Sequence, residues 1–276
     1  MQGLTSNIIG IAGTDPLFER LRGEAEAILR REPAMSHLLL TTVLSQDSLA
    51  HAVVQRVVAR LDHPDLPATV LREVFLDVVN SDAGLRDAMA LDIMAVADRD
   101  PACTKLIQPL LYFKGFHAIQ THRIANALWK AGRHDMALYI QSRSSATFQT
   151  DIHPAVPMGR GVFLDHATGL VVGATATIGD DVSLLQDVTL GGTGKESGDR
   201  HPKIQHGVLI GAGAKVLGNI EVGHCSRVAA GSVVLNPVPP KTTVAGVPAR
   251  VVGAAGCAEP ARTMDQRLSR LEPVGN

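Results

Sequence analysis

The sequence predicts an α-helical segment followed by a parallel β-helix, and three observations carry this. An aliphatic residue falls on every sixth position from Ile204 to Val234: Ile204, Ile210, Val216, Val222, Val228 and Val234. A period of six fits neither an α-helix nor a flat strand; it marks coils in which each hexapeptide forms one face. Small residues (Ala214, Ser226, Ser232) take other inward places, where a narrow coil leaves little room. Ahead of the repeats, apolar residues recur at helical spacing instead.

Residues 14 to about 146 read as helices. Thr14-Asp15-Pro16 is an N-cap followed by proline in the first turn, and Leu17, Leu21, Ala25 and Leu29 mark one apolar stripe. A second helix covers Ser36 to Leu44. A third follows Asp47 with Leu49, Val53, Val57 and Leu61. Pro67 opens a fourth, with Val70, Val74, Leu76 and Val78 apolar. Further helices cover roughly 82–98, 115–131 and 133–146, the last two separated by Gly132. This half reads as a bundle for oligomer contacts. Met1 to Gly13 lacks the basic and apolar regions of a signal peptide, and no apolar run is long enough to span a bilayer.

The period of six starts at Ile152 and continues through Met158 and Leu164. It then slips by two residues, and resumes at Val172, Ile178, Leu184 and Leu190. The stretch Gly191 to Pro202 is too polar and glycine-rich for a coil, so it reads as a loop ejected from one corner. Phase returns at Ile204. Pro237 to Pro240 end the repeats, and Val244 to Val252 close the last coil. Residues 254–276 carry no period and are expected to form a mobile tail. The expected divisions are 1–146, 147–253 and 254–276. Stacked coils form a rigid prism. Clefts between neighbouring prisms can hold sites, which predicts a trimer.

Lys and Arg total 26 against 27 Asp and Glu, so nothing points to nucleic acid or an anionic membrane as partner. The three cysteines form no CxxC pair and are odd in number, which speaks against a disulfide framework or zinc ribbon and for a reducing cytoplasm.

Three segments concentrate Asp, His and Arg: Asp151-Ile152-His153, Asp165-His166 and Arg200-His201. Asp151 and Asp165 stand about one coil apart, close enough to be neighbours. A histidine between carboxylates can act as a general base. No nucleophile elbow is present and no cysteine lies nearby in sequence, which favours direct transfer over a covalent enzyme intermediate. His153, before Pro154, reads as structural. From spacing alone His166 reads equally as a base or as a satisfied corner histidine. His201 could simply be an exposed loop residue, and His206 and His224 read as surface residues. The histidines also leave open a zinc site between three subunits. The carboxylate beside His166 and the arginine beside His201 suit a charged substrate better.

With these segments assembled, the chain resembles the bacterial serine O-acetyltransferase family. The resemblance rests on Thr147-Phe148-Gln149-Thr150-Asp151-Ile152-His153-Pro154, Leu164-Asp165-His166-Ala167-Thr168-Gly169, Val188-Thr189-Leu190-Gly191-Gly192-Thr193-Gly194-Lys195 and Gly198-Asp199-Arg200-His201-Pro202. Asp100-Pro101 and the segment Pro109 to Ala118 add to it. It implies a left-handed parallel β-helix behind a helical domain, and a hexamer of two trimers. It further implies transfer of acetyl from acetyl-CoA, a co-substrate rather than a bound cofactor, to L-serine, with L-cysteine as feedback inhibitor. His166 matches the family's general base, Asp151 its dyad partner and His201 a second active-site histidine. Arg200 matches the serine carboxylate site; Asp100 and Asp165 match the carboxylates near its ammonium. Gly191, Gly192, Thr193, Ala212, Gly213 and Ala230 resemble the CoA channel, with Lys215 and Lys241 in reach of phosphates. Many members end in isoleucine, which enters O-acetylserine sulfhydrylase. Asn276 fits such an apolar pocket poorly, so that partnership is not expected. The other readings are a hexapeptide acetyltransferase for a sugar or antibiotic, a trimeric metal-dependent lyase of the carbonic-anhydrase type, and a non-catalytic scaffold.

Overall fold

In the computed structural model, which describes residues 15–194 and 197–268, a helical bundle leads directly into a three-sided coil. Helix α1 (Pro16–Arg31) starts at Asp15, whose carboxylate accepts from the Leu17 and Phe18 N–H groups. It buries Leu17, Leu21, Ala25 and Ile28. Helix α2 (Ser36–Leu39) runs on as a π turn over Leu40–Leu44. There follow α3 (Leu49–Leu61), α4 (Ala68–Ser81), α5 (Ala83–Arg99), α6 (Ile107–Tyr112), α7 (Lys114–Lys130) and α8 (His134–Phe148).

Two features differ from the sequence reading. The face that α4 buries is Leu71, Phe75 and Val79, spaced by four, while Val70 is exposed. Helix α4 has too many aliphatic residues for its pattern to single out one face. The short α6 buries Ile107, Leu110 and Leu111 and has no length from which to show a period. Helix α7 is buried all round, including Gln120, His122, Arg123 and Asn126, because the bundle covers one side and the coil the other.

The coils stack their strands into three sheets. Sheet I holds Thr150–Ile152, Leu170–Val172, Thr189–Gly191, Lys215–Leu217 and Val233–Val234. Sheet II holds Phe163–Leu164, Ser183–Leu184, Leu209–Ile210, Arg227–Val228, Thr242–Gly246 and Ala249–Ala254. Sheet III holds Thr177–Ile178, Lys203–Ile204 and Glu221–Val222. Register stacks the aliphatic residues into three interior ladders. One is Ile152, Val172, Leu190, Val216 and Val234. The second is Leu164, Leu184, Ile210, Val228 and Val244. The third is Met158, Ile178, Ile204, Val222 and Val238. Every residue of the six-residue period therefore stands on a ladder, each buried side chain contributing about 1.5–3 kcal/mol. The two-residue slip falls at the corner from sheet II to sheet I. The long loop falls at the corner from sheet I to sheet III.

The end of the coil departs from expectation. Thr242–Gly246 adds a last parallel face, with Val244 on the second ladder, but Ala249–Ala254 then folds back on it as an antiparallel hairpin. Residues 255–268 do not hang free; they run back across sheet II. Ser183 Oγ donates to the Ala261 carbonyl at 2.7 Å, and Arg227 Nη1 donates to the Asp265 carbonyl at 2.7 Å. Arg262, in the short helix α9 (Pro260–Thr263), pairs with Asp98 at 2.7 Å. Docking through single polar contacts leaves no periodic trace in the sequence. The readings of Met1 to Gly13 and of Asn276 lie outside the described residues.

Asp92 joins the two halves. It is fully buried and accepts from Arg123 Nε and Nη2, Gln120 Nε2 and the Val162 N–H, at 2.8 to 3.0 Å. Arg123 Nη2 also donates to the Gly159 carbonyl at 2.6 Å. Removing one partner of such a pair strands a buried charge, so Arg123→Ala is expected to cost about 3–5 kcal/mol. Urea unfolding measures this; a loss below about 1 kcal/mol would show that the pair does not hold the halves together. Among the described residues no helix is long and apolar enough to cross a membrane.

Candidate active site at the coil corners

The slip segment Asp165 to Gly169 forms the corner from sheet II to sheet I. His166 and Ala167 both adopt left-handed backbone, with φ of 54° and 59°. Such conformations cost about 1–3 kcal/mol each in non-glycine residues and persist only where the surroundings enforce them. Here they do. Asp165 N–H donates to the Leu184 carbonyl, Thr150 Oγ1 to the Ala167 carbonyl, and Gly169 N–H to the Gln149 carbonyl. The His166 side chain is 75% exposed, with Nε2 3.7 Å from Asp165 Oδ1. Burial pushes the Asp165 carboxyl up; His166 opposes this, and the charge of nearby Asp100 adds to it. Asp100, at the end of α5, accepts from the Ala102 N–H at 2.8 Å. Asp165 and Asp100 thus form an acidic pair beside the exposed imidazole, a setting that favours an ammonium group.

The expected Asp151–His166 dyad is not formed. Register sets Asp151 against Val171 on the next coil, not against Asp165. Its carboxylate accepts from Gln141 Nε2 of α8 at 2.6 Å. Among the described residues no hydrogen bond joins it to His166, whose nearest carboxylate partner is Asp165.

His201 lies on the next corner, from sheet I to sheet III, and is buried rather than a solvent-facing loop residue. Its Nδ1 accepts from the Thr175 N–H at 3.2 Å and stands 2.8 Å from Thr175 Oγ1. Burial, with the charges of Arg200 and Lys203, holds the imidazole below its usual range. Because Nδ1 accepts from the Thr175 N–H, the ring proton sits on Nε2, which makes no hydrogen bond among the described residues. The ring lies over Gly173, where an added Cβ would stand 2.0 Å from Nε2. Thr175 Oγ1 also accepts from the Arg200 and His201 N–H groups. Lys203 Nζ ties the Thr175 carbonyl to Asp199. The sequence reading missed Gly173 and Thr175; the available signal was a glycine at the coil corner facing the ejected loop. The Arg200 side chain runs over Gly192, and among the described residues its guanidinium makes a single 3.4 Å contact, to the Gly198 carbonyl.

A family model described as "Serine acetyltransferase, N-terminal" matches residues 17–121. The serine acetyltransferase of Salmonella typhimurium is 51% identical over 255 residues, which are 92% of this chain and 93% of that protein. This chain belongs to the serine acetyltransferase family. A serine acetyltransferase from Brucella abortus, solved in complex with coenzyme A, superimposes with a TM-score of 0.88 at 57% identity, covering 90% of this chain and 100% of that one. Another, solved in complex with cysteine, gives 0.89 at 49% identity over 92% and 98%. As a serine acetyltransferase family member the chain is an acyltransferase, and its prism is a left-handed parallel β-helix.

In this chain the residues likened to a CoA channel are spread over the prism. Gly191, Gly192 and Thr193 lie at the corner of His201. Ala212, Gly213 and Ala230 lie on later coils at the corner of His166. Lys215 stands on sheet I with Nζ held by Asp187, at 2.9 Å from Oδ1. Lys241 is on the third corner, its N–H donating to the His224 carbonyl at 2.9 Å. Within one prism, then, sheet I separates His166 from His201 and divides these small residues into two groups.

Proposed function

We propose that the chain transfers the acetyl group of acetyl-CoA to the hydroxyl of L-serine, giving O-acetyl-L-serine and CoA, as the first step of cysteine synthesis. The observation that carries this is His166, held in strained backbone and projected beside Asp165 and Asp100. His166 takes the proton of the serine hydroxyl as its oxygen attacks the thioester carbonyl. The resulting oxyanion accepts a hydrogen bond from His201 Nε2–H. Collapse breaks the C–S bond, and the CoA thiolate takes the proton from His166. Asp165 and Asp100 receive the serine ammonium, and Arg200 its carboxylate. Asp151 is the orienting carboxylate in this reading, on the strand whose Thr150 Oγ1 donates to the Ala167 carbonyl of the His166 turn.

His166 and His201 stand on different corners, so one prism does not bring them face to face. The site is completed when the corner of one chain meets the next corner of its neighbour. We therefore assign a trimer, paired into a hexamer through the helical halves, residues 1–146. CoA lies in the cleft between prisms, against Gly191, Gly192 and Thr193 of one chain and Ala212, Gly213 and Ala230 of the other. Lys215 and Lys241 are the candidates for its phosphates. Three unpaired cysteines accord with a cytoplasmic enzyme.

The test is thiol release from acetyl-CoA with serine, with a sugar, or with no acceptor. Release that requires serine is expected; release that requires the sugar would replace this reading with another acetyltransferase. Arg200→Ala should raise the serine KM far more than the acetyl-CoA KM, and equal changes in both would remove Arg200 from the carboxylate site. L-cysteine carries the same zwitterion, so inhibition competitive with serine is expected. Inhibition indifferent to serine concentration would place cysteine elsewhere.

A further inference from the structure

At the corner from sheet III to sheet II, the repeat stacks His206 against His224. Ile204 and Val222 are in register, so the residues two places after them fall one above the other. The two rings are parallel, with 5.0 Å between centroids and 5° between planes. Cys225 follows in left-handed backbone, φ 53°, and its N–H donates to the His206 carbonyl at 2.9 Å. Its Sγ lies 3.0 Å from where a Cβ on Gly207 would stand, so a residue without a side chain leaves the thiol its room. One ligand atom from each of His206, His224 and Cys225 lies within 4.8 Å of the others. Among the described residues no other three His, Cys, Asp or Glu side chains converge in this way. His224 Nδ1 is sealed from solvent and has no hydrogen-bond partner. Buried ring nitrogens are normally satisfied, and this one is orphaned beside a thiol and a second imidazole.

His206 and Cys225 also border a cavity of about 680 Å³ between this corner, α5 and α9. Its wall carries Asp98, Asp180, Asp181 and Glu259 together with Arg99, Arg160 and Arg262, so the ligand trio, rather than the charge of the cavity, is what selects a cation.

We propose that His206, His224 and Cys225 bind a divalent cation of the zinc class, at a corner separate from both corners used for acetyl transfer. Two imidazoles and a thiolate suit zinc or cobalt(II), whereas magnesium and calcium take oxygen ligands. A tetrahedral zinc with nitrogens at about 2.0–2.1 Å sets its ligands about 3.3 Å apart, so no pair of the trio closes by more than about 1.5 Å. His206 is exposed and supplies the movement. Water fills the fourth position. Binding converts the Cys225 thiol to a thiolate and releases its proton to solvent, so affinity rises with pH. The bound ion ties two successive coils together.

The full chain, stripped with a chelator and titrated with cobalt(II), tests this. One ion per chain is expected, with a near-ultraviolet thiolate-to-metal band and the intense visible bands of a tetrahedral ion, both displaced by zinc. Cys225→Ser abolishes the thiolate band. His224→Ala and His206→Gln each weaken cobalt binding by at least about tenfold, since loss of even an outer-shell partner costs that much. Zinc raises the melting temperature of the unaltered chain and not that of Cys225→Ser. Acetyl transfer persists in all three variants. Should the thiolate band be absent, or survive unchanged in Cys225→Ser, the proposal is overturned. Cobalt that is lost in His166→Ala but kept in Cys225→Ser would move the ion to the acetyl-transfer site and overturn it equally.

Discussion

Turnover of the His166→Ala chain is expected to fall by about a hundredfold to ten-thousandfold, the usual worth of a positioned base. Folding should survive, because the imidazole is 75% exposed and belongs to neither hydrophobic core. A glycine variant separates chemistry from structure. Glycine adopts φ of 54° without the penalty that histidine bears there. His166→Gly should therefore be as inactive as the alanine variant and no less stable. Near-normal turnover in either folded variant would remove His166 from the role of base. Asp151→Asn is expected to be milder, since it disturbs orientation without deleting the group that takes the proton.

Gly173→Ala should cost nearly as much as deleting His201, although Gly173 carries no functional group. Its new Cβ would stand 2.0 Å from Nε2 and 2.2 Å from Cδ2 of His201. The ring is buried and pinned at Nδ1 by Thr175, so it can escape only by breaking those contacts and swinging out. Loss of one aimed oxyanion donor costs about a hundredfold to thousandfold in kcat. The same loss is expected for Gly173→Ala and His201→Ala, and the double variant should be no worse than either alone. Additive losses would show that Gly173 acts by some route other than the His201 ring.

The prism was open to reading because its rule is one-dimensional. Each step of six maps one residue to one ladder, so Ile204 and Val222 announce their stacking without knowledge of any other element. The departures from that rule were equally legible, and they marked the His166 turn and the Arg200-His201 loop. Contacts between distant segments left no such trace. Gln141 of α8 meets Asp151 through a single hydrogen bond, and nothing in either neighbourhood forecasts it. The burial of His201 depends on Gly173 and Thr175, a full coil earlier. The face of α4 failed for a different reason: with Val70, Val74, Leu76 and Val78 all apolar, only the bundle decides that Leu71, Phe75 and Val79 go inside. Helix α7 shows the converse, since a helix covered on both sides buries polar residues that amphipathic reasoning sends to solvent.

The ladders also govern how such a gene can change length. Loss of a single codon within a coil would rotate every later aliphatic residue off its inner face, much as a one-residue slip inverts a strand. Loss or duplication of a whole circuit would keep the frame and merely shorten or lengthen the column, because each circuit contacts only its neighbours. At the corners the frame is forgiving, since added residues leave the column sideways and the next ladder position is met unchanged. Two departures from the six-residue step in this chain are of that kind, one adding the His166 turn and the other the Arg200-His201 loop, while a third, from Val234 to Val238, drops two residues at a corner near the end of the column. New chemistry in such a column is therefore acquired by insertion at an edge, while the interior is inherited in fixed multiples.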